Sequence, residues 1–221
     1  AEAGTDDKNM AAQLSQNLLL AVPLALYMAK VASPRGRLML VVAVTTPLWA
    51  SYLVKAYAWR MLLSPEGPLK WVAGFTPGYG IVATVLTLTY LWLPYMVIPV
   101  FTALDRVPDS VIDASSDLGA RDLTTLRRIV APLMFPGIAA GSIFTFSLSL
   151  GDYIAVTIVG GKTQMLGNII YGQLVTANNQ PLAAALSLIL LMLGMGLGLS
   201  SVSPWARDGI SASGFGLSTI L

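Results

Sequence analysis

Five mostly apolar runs dominate this chain, each near the length of about 20 residues that one helix needs to cross a bilayer. They cover Ala12–Ala32, Leu38–Leu63, Tyr79–Leu104, Pro136–Val159 and Pro181–Val202. In hydrocarbon a backbone must satisfy its own N–H and C=O groups, so runs of this kind fold as helices. The predicted fold class is therefore all-α, a polytopic transmembrane helical bundle. The composition agrees: charged residues make up 11% of the chain and hydrophobic ones 55%, with a mean hydropathy of +0.71. A soluble domain carries about 25% charged residues. Pro23, Pro47, Pro94 and Pro99 fall inside the runs, where each removes a backbone hydrogen bond and favours a kink. The first run is the least apolar, with Gln13, Ser15, Gln16 and Asn17 near its start.

What the chain lacks narrows its function. Without cysteine there is no disulfide or thiolate chemistry, and without histidine the commonest general base is missing. Both absences count against an enzyme, and no cofactor is expected. No phosphate-cradling GxxxxGK[ST] motif is present. A net charge of +2 is too small to suggest nucleic acid as a partner. The first ten residues, AEAGTDDKNM, are polar and acidic, unlike a signal peptide.

The polar stretch between the third and fourth runs, residues 105–135, is the most informative. Its centre, DASSDLGARDLTTLRRIVAP, reads as two short helices broken at Gly119. Asp109 or Ser110, after Pro108, is placed to cap the first helix through a side-chain oxygen, and Asp122 the second. Gly119 suits the left-handed position that ends many helices. Between two spans, such a helix–Gly–helix unit presents a docking surface to a soluble partner. Basic residues collect in cytoplasmic loops. Lys30, Arg35 and Arg37 lie between the first two runs, and Arg106, Arg121, Arg127 and Arg128 lie in or beside the polar stretch. Lys70 and Lys162 are the main basic residues on the opposite side. The bias puts the 105–135 loop in the cytoplasm and residue 1 outside.

This loop resembles the signature of the inner-membrane permease subunits of bacterial ABC importers: Glu-Ala-Ala, three residues, Gly, nine residues, Ile, one residue, Leu-Pro. Here Asp113, Ala114 and Ser115 hold the first three positions, and Gly119, Ile129 and Pro132 follow at the right spacing. Asp for Glu, Ser for the second Ala and Ala131 for Leu depart from it. The resemblance implies that a helix of about Asp109 to Leu118 sits in a groove of a partner ATPase, with Asp117 and Ala120 in the same coupling surface. It also implies an ABC ATPase dimer, a second homologous permease subunit and an extracytoplasmic substrate-binding protein, all at a bacterial inner membrane. Permeases of this kind usually have six spans with the N-terminus inside. The family's first span is therefore expected to be missing, with residues 1–11 the end of an external segment, 12–202 the permease domain and 203–221 a tail.

From about Asn17 to Met192 the chain also looks like the permeases of spermidine/putrescine importers. AVPLALYMAK at Ala21–Lys30, AYAWRMLLSPEG at Ala56–Gly67 and SLGDYIAVTIVGG at Ser149–Gly161 carry this likeness. Neighbouring branches share these pieces, so other small solutes remain open, as does a secondary transporter. A polycation needs carboxylates and aromatic faces, each face contributing about 0.5–2 kcal/mol. Asp152 with Tyr153, Trp92 with Tyr95, and Trp49 with Tyr52 are the candidate pathway residues. An ionisable residue within a span is a functional candidate by default; the plainer reading pairs Asp152 with Lys55 or Arg60. Trp59 and Trp71 read as an interfacial aromatic belt. Leu166, Ile169, Ile170 and Leu174 have the spacing of a helix lying on the membrane surface, in contact with lipid.

Overall fold

The first helix, α1 (Ala3–Leu26), runs on through a π turn at Tyr27–Val31. The computed structural model describes residues 3–192 of the chain, with side chains from residue 11 onward. Residues 3–11, expected as an external segment, are thus part of the same helix as the first apolar run. Ser33 caps α2 (Pro34–Trp49), its hydroxyl accepting the Gly36 N–H at 3.3 Å. Pro34 opens that helix where a missing N–H costs nothing.

The second apolar run is not one straight span, which corrects the expectation. α2 stops at Trp49, Ala50 and Ser51 are extended, and α3 (Tyr52–Leu62) leaves at 97° to α2. Pro47 withholds a helical N–H just before the break. A short helix, α4 (Pro68–Ala73), leads to α5 (Ile81–Asp105), which is unbroken through Pro94 and Pro99. The polar loop forms α6 (Asp109–Asp117) and α7 (Asp122–Thr125). A π turn at Leu126–Val130 joins α7 to α8 (Ala131–Gly151), so one helix of 30 residues runs from Asp122 to Gly151.

That long helix corrects the fourth run at both ends. It begins well before Pro136, because Pro132 stands in the first turn of α8 and the π turn absorbs the change in hydrogen bonding. It ends before Val159, because the chain breaks at Asp152 and restarts as α9 (Tyr153–Val159). Next come α10 (Leu166–Tyr171), a π turn at Gly172–Thr176, and α11 (Gln180–Met192). The rest of the fifth run and the tail at 203–221 lie outside the described residues. Among the described residues, three helices are long and apolar enough to cross a membrane, or four if α2 and α3 count as one bent span.

α5 is the axis, with α1 and α8 against it. Ala25, Val100, Leu104, Val130 and Met134 form one core at the basic end. Ala21, Met28, Met96 and Val97 form the next, and Leu88, Leu91, Ala155, Val156 and Met165 form another at the far end. In lipid, helices associate by close packing more than by hydrophobic expulsion. Gly137 allows it here: a Cβ there would lie 2.6 Å from both the Pro99 oxygen and the Ala103 Cβ. Of the polar residues that made the first run look weak, Ser15 is exposed and the other three turn toward neighbouring helices. Gln13 and Asn17 are buried; the Gln13 amide donates to Ser149 Oγ at 2.6 Å, and Thr89 Oγ1 donates to Gln16 at 3.3 Å.

Candidate functional site

At the basic end, α6 starts one residue earlier than a cap at Asp109 or Ser110 would allow. Pro108 takes the cap position, and Asp109 is already in the first turn, where its charge complements the helix dipole. Its carboxylate accepts a bond from Lys30 Nζ at 2.7 Å, and this ammonium holds the Asp109 carboxyl below the ordinary carboxylate range. Asp122 likewise lies one place inside α7, with Arg121 at the cap. Neither expected side-chain cap forms, because each carboxylate sits one residue past the position that could reach back.

Gly119 is where the sequence places it, with φ at +77°. Its N–H reaches Ser116 O at 2.9 Å, and that of Ala120 reaches Ser115 O at 3.1 Å, which closes α6. Ser115 and Thr125, both buried, share a hydrogen bond of 2.8 Å that ties α6 to α7. Asp113, Ala114, Asp117 and Pro132 are exposed, while Ala120 and Ile129 are half-buried. Leu118 and Leu123 stand 89% and 73% exposed. The loop therefore buries the Ser115 and Thr125 hydroxyls while it displays Leu118 and Leu123, two large apolar side chains.

At the far end of α8, Asp152 is buried and caps α9, its Oδ1 accepting the Ala155 N–H at 3.0 Å. The Tyr52 hydroxyl donates to the same oxygen and accepts from the Ala155 N–H at 3.1 Å. Tyr52 is the first residue of α3, so the α2–α3 bend delivers it. Among the described residues, Asp152 Oδ2 and the Trp92 indole N–H make no hydrogen bond. Both residues line an open cleft of about 390 Å³, together with Tyr52, Ser147, Tyr153 and Ile154. Trp92 stacks on Tyr52 with centroids 6.2 Å apart and meets the edge of Tyr95 at 5.8 Å. Lys55 and Arg60 are not the partners of Asp152: Arg60 donates to Ile158 O at 3.1 Å and lies over the Tyr79 ring. Trp49 stands apart, 90% exposed on the last turn of α2, because the bend turns the chain away after it.

Two residues absent from the sequence candidates hold Tyr153, which lines the cleft. Tyr171 stacks on Tyr153 at 4.7 Å, and the Asn168 amide donates to Tyr153 O at 3.0 Å and to Thr157 Oγ1 at 2.8 Å. α10 packs on α8 and α9. The signal was an asparagine in the otherwise apolar stretch Gly167–Ile170. Asp152 thus brings a carboxylate, with no lysine or arginine paired to it among the described residues, to the wall of a cleft lined by aromatic faces.

Residues 21–205 match the family described as "Binding-protein-dependent transport system inner membrane component". An inner membrane ABC transporter permease protein, YdcU of Escherichia coli K12, is 43% identical over 77% of this chain and 61% of its own length. The spermidine/putrescine permease PotB of the same organism is 31% identical over 77% of this chain and 65% of its own. The molybdenum permease ModB of Mycobacterium bovis is 31% identical over 91% of this chain and 78% of its own. The chain spans about 61–65% of the length of YdcU and PotB. By fold it is similar to a bacterial alginate ABC importer, with a TM-score of 0.68 at 17% identity over 90% of this chain and 77% of that one. It is similar also to the methionine ABC transporter MetNI, with a TM-score of 0.65 at 16% identity over 94% and 98%.

Proposed function

Since the chain belongs to the family of binding-protein-dependent transport system inner membrane components, we propose that it is the membrane-spanning permease subunit of an ATP-driven ABC importer of small organic cations, with polyamines as the leading class. It does no covalent chemistry. ATP is hydrolysed by a separate ATPase dimer, which grips α6 and the exposed leucines of the loop. A second homologous permease subunit and an extracytoplasmic binding protein complete the importer. The observation that carries this reading is the continuous helix from Asp122 to Gly151. It joins the loop at one end to the Asp152 cleft at the other, so a push on α7, to which the Ser115–Thr125 bond ties α6, is passed along one helix toward the cleft.

The cleft supports a cation. Asp152 supplies charge, and Tyr52, Trp92 and Tyr153 supply π faces at the same opening. The PotB likeness points the same way, and the ModB likeness keeps an oxyanion as the competing solute. The test is reconstitution in proteoliposomes with the ATPase, the second permease and the binding protein, followed by uptake of labelled putrescine, spermidine and molybdate. ATP-dependent, saturable polyamine uptake is expected. Molybdate uptake alone would reject the cation assignment and keep the importer. Failure of this chain to bring down an ATPase from detergent extracts would reject the importer.

A further inference from the structure

The turn between α1 and α2 reaches the loop at two points. Lys30, in the π turn that ends α1, has its side chain 18% exposed, and its Nζ lies 2.6 Å from Val107 O and 2.7 Å from Asp109 Oδ1. That ammonium bonds a carbonyl just past the end of α5 and the carboxylate with which α6 begins. Beside it, Arg37 of α2 pairs with Asp105, the last residue of α5, and lies over the Phe101 ring at 4.9 Å. The stem of Lys30 rises from apolar ground, since Leu26 and Ala29 pack on the core that holds Leu104 and Val130. At its other end, α1 is tied to α8 by the Gln13–Ser149 bond. α1 with its π turn is therefore fastened to α6 at one end and to α8 at the other, by groups that the loop signature does not include.

Resting on the reading of α6 as the ATPase-docking helix, we propose that Lys30 is a positioning residue for coupling: it clamps α6 to α1, so that movement of the loop carries α1 along with α8. The ATPase then drives a pair of helices flanking α5. Lys30 touches neither solute nor nucleotide, and its effect falls on how much transport each hydrolysis event produces.

The test uses the whole importer in proteoliposomes. With Lys30→Met, the ATPase should still co-purify, while ATP hydrolysed per solute imported rises about two- to fivefold, the range expected for losing one partly exposed charged pair. Lys30→Arg should keep the wild-type ratio, because it restores the charge; a ratio as high as that of Lys30→Met would count against the clamp. The chain has no cysteine, so Lys30→Cys with Asp109→Cys can be bridged by a short bis-maleimide on a clean background. Bridged importer should transport at least as well as the same double variant before bridging, because the two positions move together. Transport stopped by the bridge, or an unchanged ratio in Lys30→Met with ATPase bound, overturns the clamp and leaves the docking reading intact. A wild-type chain that fails to retain the ATPase overturns the docking reading itself. Where Lys30→Met fails to accumulate, the bridged pair decides.

Discussion

The two ends of the Asp122–Gly151 helix treat polarity in opposite ways. At the basic end the hydroxyls of Ser115 and Thr125 are buried against each other, while Leu118 and Leu123 are displayed. At the far end a carboxylate is buried, and the groups around its opening are aromatic and peptide. The first arrangement leaves apolar area to be covered by a large surface and spends its hydrogen bonds on holding its own shape. The second leaves one charged acceptor unsatisfied and uses its neighbours to aim it. A macromolecular partner contributes area, and a small solute contributes charge. On the proposed reading each end of the rod serves one of them, and the helix between them is continuous from Asp122 to Gly151.

Removing the charge at the far end tests the contrast most strongly. Asp152→Asn keeps the size and most hydrogen-bonding ability of the side chain but loses its charge. A bond to a charged group contributes about 1.5–3 kcal/mol, so the half-saturating concentration for a cation should rise roughly 10- to 150-fold. Assembly with the ATPase should be untouched, as measured by co-purification. An equal loss of uptake and assembly would mean that the two ends are not separable. At the basic end, Gly119→Val forces a β-branched residue into φ +77°. A Cβ there meets no heavy atom within 4 Å, so the cost is conformational and not steric crowding. Left-handed backbone costs an L-residue about 1–2 kcal/mol. Transport per ATP should fall about 5- to 30-fold, with solute affinity unchanged in an uptake titration.

Much of this was legible in the residues, and the failures share a cause. Runs such as Tyr79–Leu104 announced their helices because length and hydropathy alone determine a span, and Gly119 announced its turn because few other residues tolerate that backbone. The 97° bend between Trp49 and Tyr52 was not legible: Pro47 marks a weak place but says nothing of the angle, which the packing of α3 on α9 determines. Gln13 and Asn17 counted against the first span when polarity was scored along one helix. Gln13 is explained by Ser149, which faces it from α8, while the buried Asn17 amide has no hydrogen-bond partner among the described residues. Tyr52 was named as a pathway aromatic and Asp152 as a carboxylate, yet nothing local joined two residues a hundred positions apart. Lys30 counted only as a topology signal, because its partners Val107 and Asp109 come from the other side of α5.

A smaller effect sharpens the far end. Tyr52→Phe removes one of the two donors that hold Asp152 Oδ1 and leaves the Ala155 N–H. The carboxylate then has more freedom to rotate, and the stack on Trp92 persists. A single hydrogen bond contributes about 0.5–1.5 kcal/mol, so the half-saturating concentration should rise about two- to tenfold. A larger change than in Asp152→Asn would move the main solute contact from the carboxylate to the phenol.

The smallest expected effect concerns acid at the basic end. Lys30 holds the Asp109 carboxyl below its ordinary range. A depressed carboxylate contributes its share of the link above its unperturbed value of about 3.9 and loses it only as pH falls through the lower, shifted one. Between roughly pH 5.5 and 8 on the loop side, the Asp109 carboxylate thus stays charged. The ratio of ATP hydrolysed to solute imported should have no inflection in that window that Asp109→Asn abolishes. Such an inflection would mean that Asp109 takes up a proton well above the carboxylate range, which a neighbouring ammonium forbids. The pair would then be broken in the working importer, and the basic end would lose its tie to α1.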